Sequence, residues 1–261
     1  MVNDTNILEA LKNGSKEAFE AIYKQYAGKT PVSCEPLAQA GSNRKYFRLT
    51  ADDRTTCIGV IGTSKRENHS FLYLARHFKE KNLPVPEVYA VSEDESRYLQ
   101  EDLGNTSLFS ALQQGREANG DYDQEEVELI KRTIKILPHF QIRGNDGLDY
   151  TQLIAPTHFD VETVMFDLNY FKYCFLKTTD IDFDEVLLQH DLEQFATDLC
   201  CDSPHFFLYR DFQARNVMIK EGQPYFIDFQ GGKAGPLQYD ISSFLWQASA
   251  KYGAELRKNI I

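Results

Sequence analysis

Two short stretches toward the end of the sequence carry side chains suited to moving a phosphoryl group. The first is YRDFQARN, residues 209–216, followed by the apolar VMIK; the second is FIDFQGG, residues 226–232, reached through the turn Glu221-Gly222-Gln223-Pro224. Phosphoryl transfer needs one carboxylate to accept or orient a hydroxyl proton, and an amide oxygen with a second carboxylate to hold magnesium on the phosphates. Asp211, Asn216 and Asp228 make up that set. Magnesium keeps several waters, so two protein oxygens beside the phosphate oxygens suffice. Taken alone, Asp-x-x-x-x-Asn equally describes a capped loop beside a core strand. The apolar strand, the tight turn and Ile-Asp-Phe that follow favour the chemical reading: a hairpin brings Asn216 and Asp228 to one end of a sheet, and buried strands seldom carry Asp without a task.

The elements that must position these side chains follow from periodicity. Residues 4–26 have helical apolar spacing interrupted at Asn13-Gly14-Ser15, which predicts two short helices, the second capped by Ser15. VSCEPLA, RKYFRLT and TTCIGVIG, with turn residues between them, predict three antiparallel strands. RENHSFLYLARHFKEKNL puts Phe71, Leu72, Ala75 and Phe78 on one helical face and ends before Pro84 and Pro86. EVYAV and SRYLQEDL predict two further strands. After Gly104 the pattern changes: SLFSALQQ, EEVELIKRTIKILPHFQIR, VETVMFDLNYFKYCFLK and FDEVLLQHDLEQFATDLC all carry helix-spaced apolar residues. The expectation is an α+β chain, mostly sheet with one crossing helix and then mainly helical.

Composition narrows the function classes. With 28 Lys and Arg against 39 Asp and Glu, the net charge of −11 repels phosphate backbones and anionic lipid, so neither nucleic acid nor membrane is expected as a partner. The first residues are acidic where a secretion signal would be basic, and no apolar run approaches membrane-spanning length. Five cysteines without metal spacing read as free thiols of a reducing, cytoplasmic compartment. The scattered histidines do not form a zinc site, and neither a Gly-x-Ser-x-Gly elbow nor a Walker lysine loop is present.

YRDFQARNVMI and FIDFQGGKAGPLQYD resemble the catalytic and metal-binding loops of the aminoglycoside phosphotransferase and choline kinase family, which shares the two-lobed fold of protein kinases. Within it the chain most resembles the bacterial cell-wall amino-sugar kinases acting on N-acetylmuramate and N-acetylglucosamine. The likeness runs from about Val32 onward and is most specific over residues 207–246. It implies a nucleotide-binding lobe with leading helices over residues 1–100 and a helical catalytic and acceptor-binding lobe over residues 101–261. It also implies Asp211 as catalytic base, Asn216 and Asp228 as magnesium ligands, and Asp240 as a buried acid tying the loop down. ATP and Mg2+ are the implied cofactors. The implied acceptor is a small-molecule hydroxyl, an amino sugar first, with aminoglycoside, choline or homoserine as alternatives. A nucleotide-binding pseudokinase is the rival from another class.

AGSNRKYFRL, residues 40–49, resembles the family's phosphate-covering loop, which assigns Gly41, Ser42, Asn43 and Arg44 to the nucleotide; an ordinary hairpin turn fits the same residues. YLQEDLG resembles the hinge between lobes, where the backbone of Gln100, Glu101, Asp102 and Leu103 would meet the adenine edge; a strand end leading into a helix fits it too. Two departures stand out. The family places a lysine on the third strand, paired with a helix acid, and CIGVIGTSKREN has none inside the strand. Lys65 or Arg66 takes that task, or nothing does, with Glu67 as the helix acid. Relatives also continue beyond the segment matching DISSFLWQA, so part of the acceptor pocket is expected to be missing. Asp167 is read as an acceptor contact or as the exposed acid of a core helix. Arg215 and Lys233 are read as cations near the transferring phosphate or as loop salt bridges. Tyr209 stands where the family has a histidine, at a position that packs.

Overall fold

Strands buried on both faces read as continuous apolar runs, and TCIGVI does so because two different layers cover it. The computed structural model describes residues 17, 19–37, 44–200 and 206–260. Ser33–Pro36 (β1), Lys45–Thr50 (β2), Thr56–Ile61 (β3), Val88–Val91 (β4) and Arg97–Glu101 (β5) form an antiparallel sheet in the order β1-β2-β3-β5-β4. On one face Phe47, Leu49, Cys57 and Leu99 pack against Phe19 and Tyr23 of the helix over 19–27 (α1). Gly59 permits that approach, since a Cβ there would stand 2.6 Å from the Phe19 ring. On the other face Ile58, Val60 and Tyr98 meet Lys65–Glu80 (α2). The expected helix around residues 4–13 and its successor's cap at Ser15 lie outside the described residues.

Helix α2 forms where its apolar spacing predicts, and Ser64 caps it by accepting the Glu67 N–H at 3.3 Å. Its face carries Phe71, Leu72, Ala75 and Phe78, all at most 3% exposed. Phe78 meets Phe140, Phe207 and Phe229 edge-on at 5.1, 5.0 and 5.4 Å between ring centroids. One continuous apolar core therefore runs from the sheet through α2 into the second half of the chain.

After β5 the chain turns mainly helical, as the change of period predicts: Leu108–Ala111 (α3), Gln113–Glu117 (α4), Gln124–Pro138 (α5), Val161–Cys174 (α6), Glu185–Cys200 (α7), Gln238–Trp246 (α8) and Ala254–Ile260 (α9). α5 starts in a capping box between Asp123 and Glu126. The sequence pattern extends this helix to residue 143, but at Pro138 it gives way to a π turn over His139–Arg143, closed by the Gly144 N–H donating to the His139 carbonyl. α6 departs from its reading as a core helix. Phe166 and Tyr170 are 71% and 67% exposed, because the described partners of the helix, α7 and the Phe159 and Leu208 cluster, cover one side only.

Candidate active site

Phe206–Leu208 (β6) pairs with Lys233–Gly235 (β9), and Val217–Lys220 (β7) with Gln223–Phe226 (β8). The β7–β8 hairpin is the expected one, with Val217 opposite Phe226, and it sets Asn216 beside the segment that carries Asp228. Asn216 Nδ2 donates to Asp228 Oδ2 at 3.2 Å and to the Asp211 carbonyl at 3.0 Å. The side-chain oxygen of Asn216, on the amide whose nitrogen bonds the Asp228 carboxylate, accepts no hydrogen bond from the described residues; the backbone carbonyl takes the Ile227 N–H at 3.0 Å. That side-chain oxygen and the carboxylate fit a hard divalent cation that draws its remaining ligands from phosphate and water.

Asp228 has φ +66° and Arg210 φ +75°, left-handed values that non-glycine residues hold only when the surroundings enforce them. Gln230 Nε2 donates to Asp228 Oδ1 at 2.7 Å, Ser70 Oγ of α2 donates to the Gln230 carbonyl at 2.8 Å, and Phe229 stacks on Phe71 at 5.1 Å. Helix α2 thus holds the Asp228 loop through Ser70 and Phe71. Arg210 is gripped by Asp167 of α6 through two bonds of 2.7 and 2.6 Å, and by the Tyr239 hydroxyl. Asp167 therefore holds the loop that carries Asp211 through Arg210.

The buried acid expected at Asp240 is there, fully enclosed. Its Oδ2 accepts the Tyr209 N–H at 2.9 Å and its Oδ1 the Arg210 N–H at 3.0 Å. Gln141, from the π turn after Pro138, also donates to Oδ2 at 2.9 Å and to the Leu237 carbonyl at 3.0 Å. Sequence reasoning missed Gln141, whose only local signal is the proline before it. Tyr209 packs as expected: its ring is enclosed by Phe140, Phe212 and Phe229, and its hydroxyl donates to the Ile227 carbonyl.

Asp211 is exposed at the surface of this framework. The protein that hems it in and the neighbouring Asp228 charge raise its carboxyl above the ordinary aspartate range. The Gly231 backbone passes alongside, close enough that a methyl group there would stand 3.5 Å from Asp211 Oδ2. Lys233 is buried, and burial together with Arg210 lowers its pKa; Asp167, Asp160 and Asp211 act on it in the opposite sense. Arg215 lies with its guanidinium 3.7 Å over the Phe109 ring. Neither Lys233 nor Arg215 makes an ion pair within 4 Å among the described residues.

Beside these loops lies a cavity of about 420 Å³ between the sheet and the helical part, lined by Arg44, Tyr46 and Gln100 from the sheet side and by Arg215, Asn216 and Asp228 from the loop side. Gln100 is 9% exposed and its Oε1 has no hydrogen-bond partner among the described residues. The other hinge residues point elsewhere. Glu101 is ion-paired with Lys220 at 2.6 Å, Asp102 is bound by Arg48 at 2.6 Å, and Asp102 and Leu103 line a second cavity. Gly41, Ser42 and Asn43 lie outside the described residues. Lys65 and Arg66 line a third cavity, with His69, Glu95 and Gln152.

The model of the phosphotransferase enzyme family (APH) matches residues 33–261, and the chain belongs to that family. It is similar to the N-acetylmuramate/N-acetylglucosamine kinase of Neisseria meningitidis serogroup B, 26% identical over 225 residues that cover 84% of this chain and 62% of the relative. The N-acetylmuramate/N-acetylglucosamine kinase of Pseudomonas aeruginosa is 23% identical over 215 residues, covering 81% of this chain and 59% of the relative. The chain thus spans about three fifths of the length of these curated relatives. Among solved structures, a thermostable mutant of aminoglycoside phosphotransferase APH(4)-Ia, in ternary complex with ADP and hygromycin B, superposes with a TM-score of 0.53 at 14% identity, over 84% of this chain and 72% of that one.

Proposed function

We propose that this chain is an ATP- and magnesium-dependent kinase that transfers the γ-phosphate to a hydroxyl of a small molecule, an amino sugar. The carrying observation is that Asn216 is bonded both to the Asp211 backbone and to the Asp228 carboxylate, while Asn216 and Asp228 line a cavity of about 420 Å³. Two amino-sugar kinases among the relatives favour that acceptor class. Nucleotide lies between a sheet lobe, residues 1–100, and a helical lobe, residues 101–261. Its base meets the orphaned Gln100 acceptor and the backbone from Gln100 to Leu103.

In this reading Asp211 accepts the acceptor's hydroxyl proton as the alkoxide oxygen bonds to the γ-phosphorus, and the bond from that phosphorus to the bridging oxygen breaks, releasing ADP. Magnesium held by Asn216 and Asp228 supplies charge neutralisation on the phosphates. The chain's own contribution is placement: Asp240 holds the backbone before Asp211, Asp167 holds Arg210, and α2 holds the loop of Asp228. Release of ADP from Mg-ATP, measured with amino sugars, aminoglycosides, choline and homoserine in turn, tests the proposal. Stimulation by an amino sugar above the rest is expected. If no acceptor stimulates release, the reading as a kinase falls and that of a nucleotide-binding module takes its place.

A further inference from the structure

A nucleotide triphosphate held near Asp228 brings several negative charges to a carboxylate, and a cleft that binds it needs a cation fixed among those oxygens. Strand β3 carries none, and Lys65 and Arg66, which follow it in sequence, open into another cavity. Arg44 does face the cleft, in the same cavity wall as Asp228. It immediately precedes β2, where Lys45 lies opposite Ile61, so it enters beside the end of the third strand, one strand over. Arg44 is 4% exposed. Its Nη2 donates to the Glu67 carbonyl at 3.2 Å and stands 4.0 Å from the Glu67 carboxylate. Its guanidinium lies 5.6 Å over the Phe71 ring, whose other neighbours include Phe229, the residue next to Asp228.

We propose that Arg44, held by Glu67, is the cation that binds the nucleotide's phosphates in this cleft, a task moved from the third strand to the entry of the second; the proposal rests on the phosphotransferase reading above. The chemistry suits the position. A guanidinium stays charged when buried, where a lysine is readily neutralised, and its planar fork of donors matches two phosphate oxygens at once. Against the burial of that charge, the Tyr46 hydroxyl and the Asp228 charge also act on the guanidinium and favour its charged form, which ties it to the carboxylate at the cleft. Helix α2 contributes both Glu67 and the Phe71 ring, so it sets Arg44 and the Asp228 loop in one frame.

The test is calorimetric titration of Mg-ATP, Mg-ADP and adenosine into the unsubstituted chain and into Arg44→Met and Arg44→Lys variants, with folding checked by thermal melting. Arg44→Met should weaken Mg-ATP and Mg-ADP by about 10- to 100-fold and adenosine by less than about twofold. Arg44→Lys, which loses the fork and holds its charge less firmly, should fall between. Equal losses for adenosine and the phosphorylated ligands would assign Arg44 a structural role only, and unchanged Mg-ATP affinity would remove the assignment. If Arg44→Met does not fold, Arg44→Lys decides: Mg-ATP weakened several-fold with adenosine unaltered supports the proposal, and equal affinity overturns it. Failure of the unsubstituted chain to bind Mg-ATP at all would instead bring down the phosphotransferase reading, and this proposal with it.

Discussion

Asp211 is the residue on which turnover depends if it accepts a proton, and its exposed side chain stays out of the core. Asp211→Asn should therefore lower turnover by about 10²- to 10⁴-fold while nucleotide affinity and melting temperature stay nearly unchanged; equal losses in rate and affinity would argue for a binding role instead. Asp240 behaves differently. Burial lifts its carboxyl to about 6, against the pull of the Tyr209, Gln141 and Arg210 donors. The folded chain then keeps this proton over a range in which the unfolded chain has released it. The stability it contributes is complete below about 4 and is lost as pH rises through about 6. Asp240→Asn removes that titration, so denaturant unfolding between pH 4 and 7 should show stability declining with pH more steeply in the unsubstituted chain than in the variant. Parallel curves would exclude the burial effect. The spacing within YRDFQARN and FIDFQGG made Asp211, Asn216 and Asp228 legible, and the family resemblance pointed to Asp240 as a buried acid. Gln141 and Asp167 were not legible as positioning groups, since their partners lie 99 and 43 residues away in sequence.

Among the elements, α2 has the largest part in placing the site. Its apolar face was readable from a 3.6-residue period, but the period alone does not say what the face meets. The structure answers with aromatic rings from three separate segments, Phe140, Phe207 and Phe229, around Phe78. Phe78→Ala should lower unfolding free energy by about 3–5 kcal/mol in urea titrations, because the enclosed ring leaves a cavity its stiff neighbours cannot fill. A loss below about 1 kcal/mol would show that the surrounding rings collapse freely. The π turn after α5 is the converse case, a local irregularity that periodicity reads as more helix. Its extra residue per turn swings Gln141 toward Asp240.

For the molecule as a whole, sheet and helical part share their core. Ile58, Val60 and Tyr98 from the strands belong to the same cluster as Phe207, Phe226 and Phe244. Calorimetric unfolding should accordingly give one transition in which the sheet and the loops of Asp211 and Asp228 are lost together; two resolved transitions would mean that the lobes are independently stable. Among the described residues no helix is long and apolar enough to cross a membrane.

The order of strands and helices and the triad of oxygen-bearing side chains could be read from the chain directly, because alternation, helical period, turn residues and a five-residue spacing are all properties of neighbours. Which cation stands near Glu67, where the family pairs a third-strand lysine with a helix acid, could not. Lys65 and Arg66 were read for that task, with Arg44 assigned to the nucleotide through the loop before β2; the start of α2 directs Lys65 and Arg66 into another cavity and brings Glu67 to Arg44. That choice depends on how a helix packs across a sheet, and packing joins residues that sequence holds far apart.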